Sequence, residues 1–344
     1  MSWLNTDRGT DCERQGNAPV NSLVNLRSGA VRTVRELVVI SGKGGTGKTS
    51  LVASFAALAK GSVLTDCDVD AANLHLLTAP RVVHREPFTG GKRAVIDAHL
   101  CVACGQCEEL CRFDAVQSDD SGNMAYTATY QVDPMACEGC GVCTWFCPEH
   151  AISLEPTVNG EWFVSETRFG PMVHARLGAA EENSGKLVSL VRTTAKKIAE
   201  ERRIGLVLID GSPGIGCPVI ASITGADLAV VVTEPTPSGL HDMERVAELT
   251  RHFGIPAAVC MNKWDLNAEM CSRIEAKARD LGMRWAGKVR YERTVTEAQV
   301  EGKAIVEQCR SGSAADIEQV WKGLRELLER AGDQRRASAI RVIE

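Results

Sequence analysis

Several features are scarce in this chain of 344 residues, and each scarcity excludes something. No apolar run approaches the roughly 20 residues that a membrane-spanning helix needs. The N-terminus has no continuous apolar core of the kind a secretory signal carries. Charge of one sign is not concentrated anywhere: 39 lysines and arginines face 44 acidic residues, a formal net charge of -5, which is not the footprint of a nucleic-acid binder. The C-terminal "DQRRASAIRVIE" has balanced charge and too few apolar residues to hold a membrane surface. These absences point to a cytoplasmic chain, without nucleic acid or stable membrane insertion. Cysteine, by contrast, is abundant, with 14 residues. A short secreted chain would spend them on disulfides, but a chain long enough for a sizeable core needs no staples. Its thiols are expected to be reduced and many of them bound to metal.

The length favours two units. Residues 1–34 are polar and without period, an extension expected to be disordered. Regularity begins at "ELVVIS", an apolar run followed by a glycine-rich loop and then by "LVASFAALAK", which reads as a helix. Further buried-strand candidates are "SVLTD", "GLVLID", "LAVVVT" and "PAAVCM". The stretches Lys186 to Arg203 and Asp316 to Arg330 have helical apolar spacing. Apolar on both faces, such strands suit an α/β fold, a doubly wound and mostly parallel sheet covered by helices on both sides. This α/β domain is expected to span 35–92 and 157–331, with a flexible tail at 332–344.

One segment, 93–156, breaks this rhythm with an internal repeat offset by 36 residues: Cys101, Cys104, Cys107 and Cys111, then Cys137, Cys140, Cys143 and Cys147, each copy spaced C-x2-C-x2-C-x3-C. Three closely spaced thiolates can wrap one iron-sulfur cluster while the fourth points toward a neighbour. Structural zinc is the rival, since two C-x2-C pairs suffice for one ion. The repeat resembles bacterial two-cluster ferredoxins, in which the fourth cysteine crosses over. That resemblance implies two 4Fe-4S clusters, one on Cys101, Cys104, Cys107 and Cys147, the other on Cys137, Cys140, Cys143 and Cys111. Arg112 stands where a proline usually follows the first copy. The remaining Cys12, Cys67, Cys260, Cys271 and Cys309 read as small packed residues, with Cys217 set apart as the candidate exception.

The loop "GKGGTGKTS" runs Gly42, Lys43, Gly44, Gly45, Thr46, Gly47, Lys48, Thr49, Ser50. It matches G-x4-G-K-[ST], whose backbone amides cradle phosphates while Lys48 reaches the outer ones and Thr49 ligates magnesium. With its additional Lys43, the loop resembles that of the MinD, ParA and nitrogenase iron protein family. There the extra lysine reaches across a homodimer to the partner's phosphates. The resemblance extends over most of 36–310 and implies further roles. In "DCDVDAANLHL" Asp68 would orient the attacking water and Asp66 support the Mg2+ shell. In "LVLIDGSPGIGC" Asp210 would hold a magnesium-bound water and Gly214 donate its amide to the γ-phosphate, with Ser212 where a proline is common. "MNKWD" is open: Asn262 and Lys263 suit ATP in this family, whereas N-K-x-D with Asp265 reads guanine in many GTPases. Arg290 replaces a base-contacting proline. Cys217 sits seven residues after Asp210, the offset at which the nitrogenase iron protein places a ligand of its bridging cluster. Ser184, Lys186 and His241 lie in family-like stretches without an assigned role. Val34 aligns with the family's expected starting methionine, which sets 1–33 apart as a possible gene-model artefact.

Together these features resemble MinD-superfamily ATPases that carry an inserted ferredoxin domain. The expected function is an ATP-hydrolysing, Mg2+-dependent homodimer whose nucleotide state governs electron transfer to an unknown redox partner. The alternatives are a maturation factor delivering iron-sulfur or another metal to a protein partner, and a positioning ATPase of MinD type.

Overall fold

The computed structural model describes residues 34–178 and 184–341. The expected extension at 1–34 lies outside them apart from Val34, as does Cys12. In chain order, β1 (Arg35–Ser41), α1 (Lys48–Ala59), β2 (Val63–Asp66) and the short α2 (Leu74–Thr78) are followed by the long β3 (Arg81–Ile96). Then come α3 (Gln106–Glu109), β4 (Val116–Asp119), β5 (Thr129–Val132), α4 (Val142–Phe146), the equally long β6 (Ile152–Thr167) and β7 (Gly170–Leu177). The rest alternates: α5 (Ser184–Glu201), β8 (Leu206–Pro213), α6 (Cys217–Ile223), β9 (Leu228–Thr233), α7 (Pro237–His252), β10 (Ala257–Asn262), α8 (Ala268–Asp280) and β11 (Arg284–Val289). It ends in α9 (Arg293–Val300), α10 (Ile305–Gln308) and α11 (Ser313–Arg341).

Nine strands form one sheet in the order β11-β10-β9-β1-β8-β2-β7-β6-β3. The first seven are parallel, and β6 and β3 continue the sheet antiparallel. Alternation along β1 explains why the strands read as unbroken apolar runs. Val38 and Ile40 pack with Leu187, Val191, Met243 and Ile274 on one face. Leu37 and Val39 pack with Phe55, Trp321 and Leu324 on the other, where the Phe55 and Trp321 rings stack at 5.3 Å. All five strand candidates and all three helix candidates named above occur.

Two boundaries differ from expectation. Strands β3 and β6 run through 93 and 156, so the cysteine segment proper is 97–151, carried on the tip of a continuous two-stranded ribbon. Most of β3 is exposed, and its mixed "RVVHREPFTGGKRAVI" gives no apolar period to read. The expected flexible tail is helical as far as Arg341, because Ala, Arg and Gln sustain a helix past Gly332; residues 342–344 lie outside the described residues.

On β7, His174 stacks on Phe163 of β6 at 5.0 Å, and its Nε2 shares a 2.9 Å hydrogen bond with Ser165 Oγ. Burial, with a smaller push from His75, lowers its pKa from 6.5 to about 4. Between those values protons favour the unfolded chain. The contribution of His174 to stability is therefore full above pH 6.5 and is lost as pH falls toward 4. Urea midpoints across this window should fall more steeply for the native chain than for His174→Gln. Equal slopes would place the acid sensitivity elsewhere.

Candidate functional site

The loop after β1 closes at Gly47, whose φ of +86° only glycine tolerates well, and where a Cβ would also strike the Asn262 amide. Asn262 holds the loop by donating Nδ2–H to Thr46 O at 2.7 Å. Lys48, the first residue of α1, is buried, ion-paired to Asp210 Oδ1, and 3.9 Å from Asp68 Oδ2. Burial opposes its charge, but Asp210, Asp66 and Asp68 outweigh that and hold its pKa above the usual lysine value. Asp210 is fully buried and its Oδ2 has no protein partner; neither has the buried Thr46 Oγ1. Buried polar atoms of this kind are normally satisfied. Two such orphans beside a phosphate loop, with Thr49 next in line on α1, fit a hydrated magnesium ion carrying phosphates.

Asp66 has a different local task from the one expected. Its Oδ1 accepts N–H from Asp68, and its Oδ2 accepts N–H from Asn73 and Leu74, which anchors the turn into α2. Burial, and then the charge of Asp210, push its pKa up to about 7. Its oxygens are thus largely occupied by the backbone, and one of them positions Asp68. The Asp68 carboxyl is largely shielded, and burial raises its pKa despite Lys48. Gly214 N–H is not free for a phosphate: it donates to Ser41 O at 2.8 Å. Ser212, in the place of the common proline, donates its hydroxyl to Cys67 O at 2.6 Å and ties β8 to the end of β2.

Lys43 folds back within the chain, 3.2 Å from Ser238 Oγ and 3.4 Å from Glu234 Oε2. Glu234 also pairs with Lys263. Burial opposes ionisation of Glu234, but the two lysines hold its pKa below the usual value. The start of α7 is set by Thr236, whose Oγ1 accepts Gly239 N–H at 3.0 Å.

Beside the loop lies an open cleft of about 850 Å³ lined by Gly45, Gly47, Ser50, Asn262, Lys263 and Arg290, with apolar walls from Leu51, Val289 and Ile317. Asp265, the guanine-reading candidate, does not line it; the carboxylate accepts Tyr291 N–H at 2.7 Å instead. Arg290 is held against Asp316.

The eight repeat cysteines line two separate small cavities: Cys101, Cys104, Cys107 and Cys147 in one, Cys111, Cys137, Cys140 and Cys143 in the other. Each cavity draws its fourth cysteine from the other copy. The copies also match in hydrogen bonding, with Ala115 N–H directed at Cys111 Sγ (3.4 Å) and Ala151 N–H at Cys147 Sγ (3.3 Å). Among the described residues no three His, Cys, Asp or Glu side chains are gathered closely enough to hold a single metal ion. Each cavity has four thiols around it and one N–H directed at one of its sulfurs. Of the other described cysteines, Cys67, Cys260 and Cys271 are buried, Cys309 is half-buried and Cys217, the candidate exception, is exposed.

Residues 37–305 match the family model of the CobQ/CobB/MinD/ParA nucleotide binding domain. The chain belongs to that family. An uncharacterised protein of Methanocaldococcus jannaschii is 33% identical over 244 residues, 68% of this chain and 80% of its own. Among solved structures, MinD of Pyrococcus horikoshii complexed with Mg-ADP aligns with a TM-score of 0.53 and 16% identity, covering 87% of this chain and 99% of that one. The Pyrococcus furiosus cell-division ATPase MinD aligns with a TM-score of 0.51 and 17% identity, covering 85% and 99%. At such identities the likeness concerns the fold.

Within this CobQ/CobB/MinD/ParA member, three residues at the site carry no sequence signal as site residues. Glu234 and Asp316 are ordinary acids until the fold brings lysines and Arg290 to them. Lys186 lacked a role and now has one, donating to Gly90 O at 3.0 Å.

If Asp265 is a loop clamp, ATP should compete better than GTP, and Asp265→Ala should leave their ratio unchanged in competition binding. A switch toward ATP in that variant would return Asp265 to base selection.

Proposed function

We propose that the chain is a Mg2+-dependent ATPase working as a nucleotide-switched homodimer. In this reading its ATP state is coupled to electron transfer through two 4Fe-4S clusters held by the two cysteine sets, and residues 97–151 form an inserted ferredoxin-like unit. The observation that carries the reading is the crossed partition of eight cysteines between two cavities, on a ribbon continuous with the nucleotide-binding sheet. When bound, such clusters store and pass single electrons. Lys48 and the loop amides neutralise and orient the phosphates, and Asp210 Oδ2 accepts a hydrogen bond from a magnesium-bound water. Asp68 orients the attacking water, and Asn262 with Lys263 borders the base. Lys43 must leave Glu234 to reach a partner's phosphates, and Gly214 must leave Ser41 to reach its own.

A protein partner is favoured by the surface of 97–151. This stretch has nine acidic residues against the single basic Arg112. Its exposed large apolar side chains include Trp145 at 86% and Met135 at 70%, with Phe113, Val142 and Phe146 also exposed. Exposed apolar side chains on an acidic segment suit a protein partner of opposite charge.

A second reading, a positioning ATPase, is favoured by the fold neighbours, a cell-division ATPase and a septum site-determining protein. That reading leaves the cysteine cavities without a task. A maturation factor would share the cavities but needs labile ligation, whereas eight thiols in two formed cavities favour retention. Among the described residues no helix is long and apolar enough to cross a membrane.

Anaerobically purified chain should contain about eight iron and eight sulfide, the complement of two four-iron clusters. Stoichiometric zinc without sulfide would refute the redox reading, and ATP-dependent vesicle binding by an iron-free chain would replace it with positioning. Asp68→Ala should bind ATP, hydrolyse it roughly 10²–10⁴-fold more slowly and accumulate as a dimer, whereas Lys43→Ala should bind ATP without dimerising. Single-turnover hydrolysis and light scattering read both, and full turnover in Asp68→Ala would remove its role.

A further inference from the structure

The β3–β6 ribbon is interrupted where β3 reads "FTGGK". The register slips between Phe88 and Thr89 and again between Thr89 and Gly91, a bulge that removes backbone groups from the ladder. Asn159, buried on β6, takes up the slack: its Oδ1 accepts both Gly90 N–H (3.0 Å) and Gly91 N–H (2.7 Å). From the outer side Lys186, in the first turn of α5, binds Gly90 O. The bulge is therefore held from two elements at once.

Contacts lead from this point in two directions. Toward the nucleotide, Asn159 O accepts Gly178 N–H at 2.7 Å, and the adjacent Leu177 N–H donates to Val69 O at 3.1 Å. Val69 directly follows Asp68, so a shift of the Asp68 segment pulls on the end of β7. Toward the cysteines, the residue after Gly91 is Lys92, whose carbonyl lies against Gly139 so closely that no Cβ could fit there. Gly139 has φ +63° and sits between Cys137 and Cys140 in the second cavity. Hydrogen bonds tolerate only a few tenths of an ångström, and the Gly139 contact is backbone against backbone with no side chain to yield.

We propose that Asn159 is a positioning residue that transmits nucleotide state from the Asp68–Val69 segment, through the Gly90–Gly91 bulge, to the cavity of Cys111, Cys137, Cys140 and Cys143. Lys186 is the second clamp of the same bulge. This deepens the reading above and names the element through which its two halves communicate. Asn159 lines neither the cleft beside the phosphate loop nor either cysteine cavity, so its substitution leaves the residues of both in place.

Hydrogen exchange of the anaerobically purified full chain, with and without a non-hydrolysable ATP analogue and magnesium, tests it in peptides covering 88–92 and 137–143. In the native chain the analogue should slow exchange in both. Asn159→Ala should still bind the analogue yet lose the response at 137–143. Asn159→Asp, which keeps an acceptor oxygen for Gly90 and Gly91, should restore it, and Lys186→Met should weaken it. In a second measurement, the ratio of ATP-analogue affinities between oxidised and reduced native protein should lie in the roughly 5- to 150-fold range usual for coupled sites and fall toward unity in Asn159→Ala. A response at 137–143 that persists in Asn159→Ala, or that is absent from the native chain, overturns the proposal. If Asn159→Ala does not fold, Lys186→Met decides, and an unaltered response there overturns it equally. An iron-free chain would defeat the electron-transfer reading while leaving the exchange measurement valid, so the two failures are distinguishable.

Discussion

Everything at the nucleotide site depends on one electrostatic imbalance: the buried carboxylates of Asp66 and Asp210, with Asp68 close by, share a single lysine. The parallel register sets Asp66 directly beside Asp210, and like charges placed opposite each other on adjacent strands repel. Lys48 answers one carboxylate directly and lies near the limit of reach of a second. The backbone N–H groups of Asp68, Asn73 and Leu74 answer Asp66. One oxygen of Asp210 is left over. Removing one partner of a buried ion pair costs about 3–5 kcal/mol, so Lys48 holds β8 to the loop as well as facing phosphate. The same deficit makes the site receptive to a divalent cation, because a cation placed there relieves repulsion that folding has already imposed.

The sheet extends that constraint outward. Asp66 fixes the turn into α2, Ser212 joins β8 to the end of β2, and Val69 holds Leu177 at the end of β7. Beyond β7 the sheet turns antiparallel, and β6 and β3 outrun the parallel strands to carry 97–151. Exposed edge strands invite unwanted pairing, which bulges and charged side chains discourage. Here β3 has both: register slips, and Arg81, His84, Arg85 and Glu86 on its exposed half. The device that protects the edge is also the point at which Asn159 grips it.

The parallel half of the fold was legible because its strands are buried on both faces, and burial leaves a compositional trace in "ELVVIS" or "LAVVVT". The antiparallel half left none. β3 mixes charged, aromatic and glycine residues since much of it faces solvent, and Asn159 looks like any turn residue until its amide oxygen is seen meeting two glycine amides. The phosphate loop and the two cysteine repeats were legible because their chemistry demands fixed local spacing, whereas the exchange of the fourth cysteine between copies was implied only by the resemblance to two-cluster ferredoxins. Contacts made across the sheet, such as Asp265 with Tyr291 or Gly214 with Ser41, join positions 26 and 173 residues apart in sequence, and no local pattern encodes them.

Two groups that the family resemblance directs at phosphate are satisfied within the chain: Lys43 by Glu234 and Ser238, Gly214 N–H by Ser41 O. Neither contact is strong. Lys43 is over a third exposed, and an exposed ion pair is worth about 0.2–1 kcal/mol; a single backbone hydrogen bond contributes about 0.5–1.5 kcal/mol net. Together they hold the resting arrangement by roughly 0.7–2.5 kcal/mol. Charge-assisted bonds to phosphate are about twice as strong as neutral ones, so they can overcome both contacts in one step. Asp68 differs, because its carboxyl already lies 3.9 Å from Lys48 of the loop. In the proposed mechanism the hydrolytic centre is therefore largely built in advance, and the weak pair of contacts leaves Lys43 and Gly214 to respond to the nucleotide.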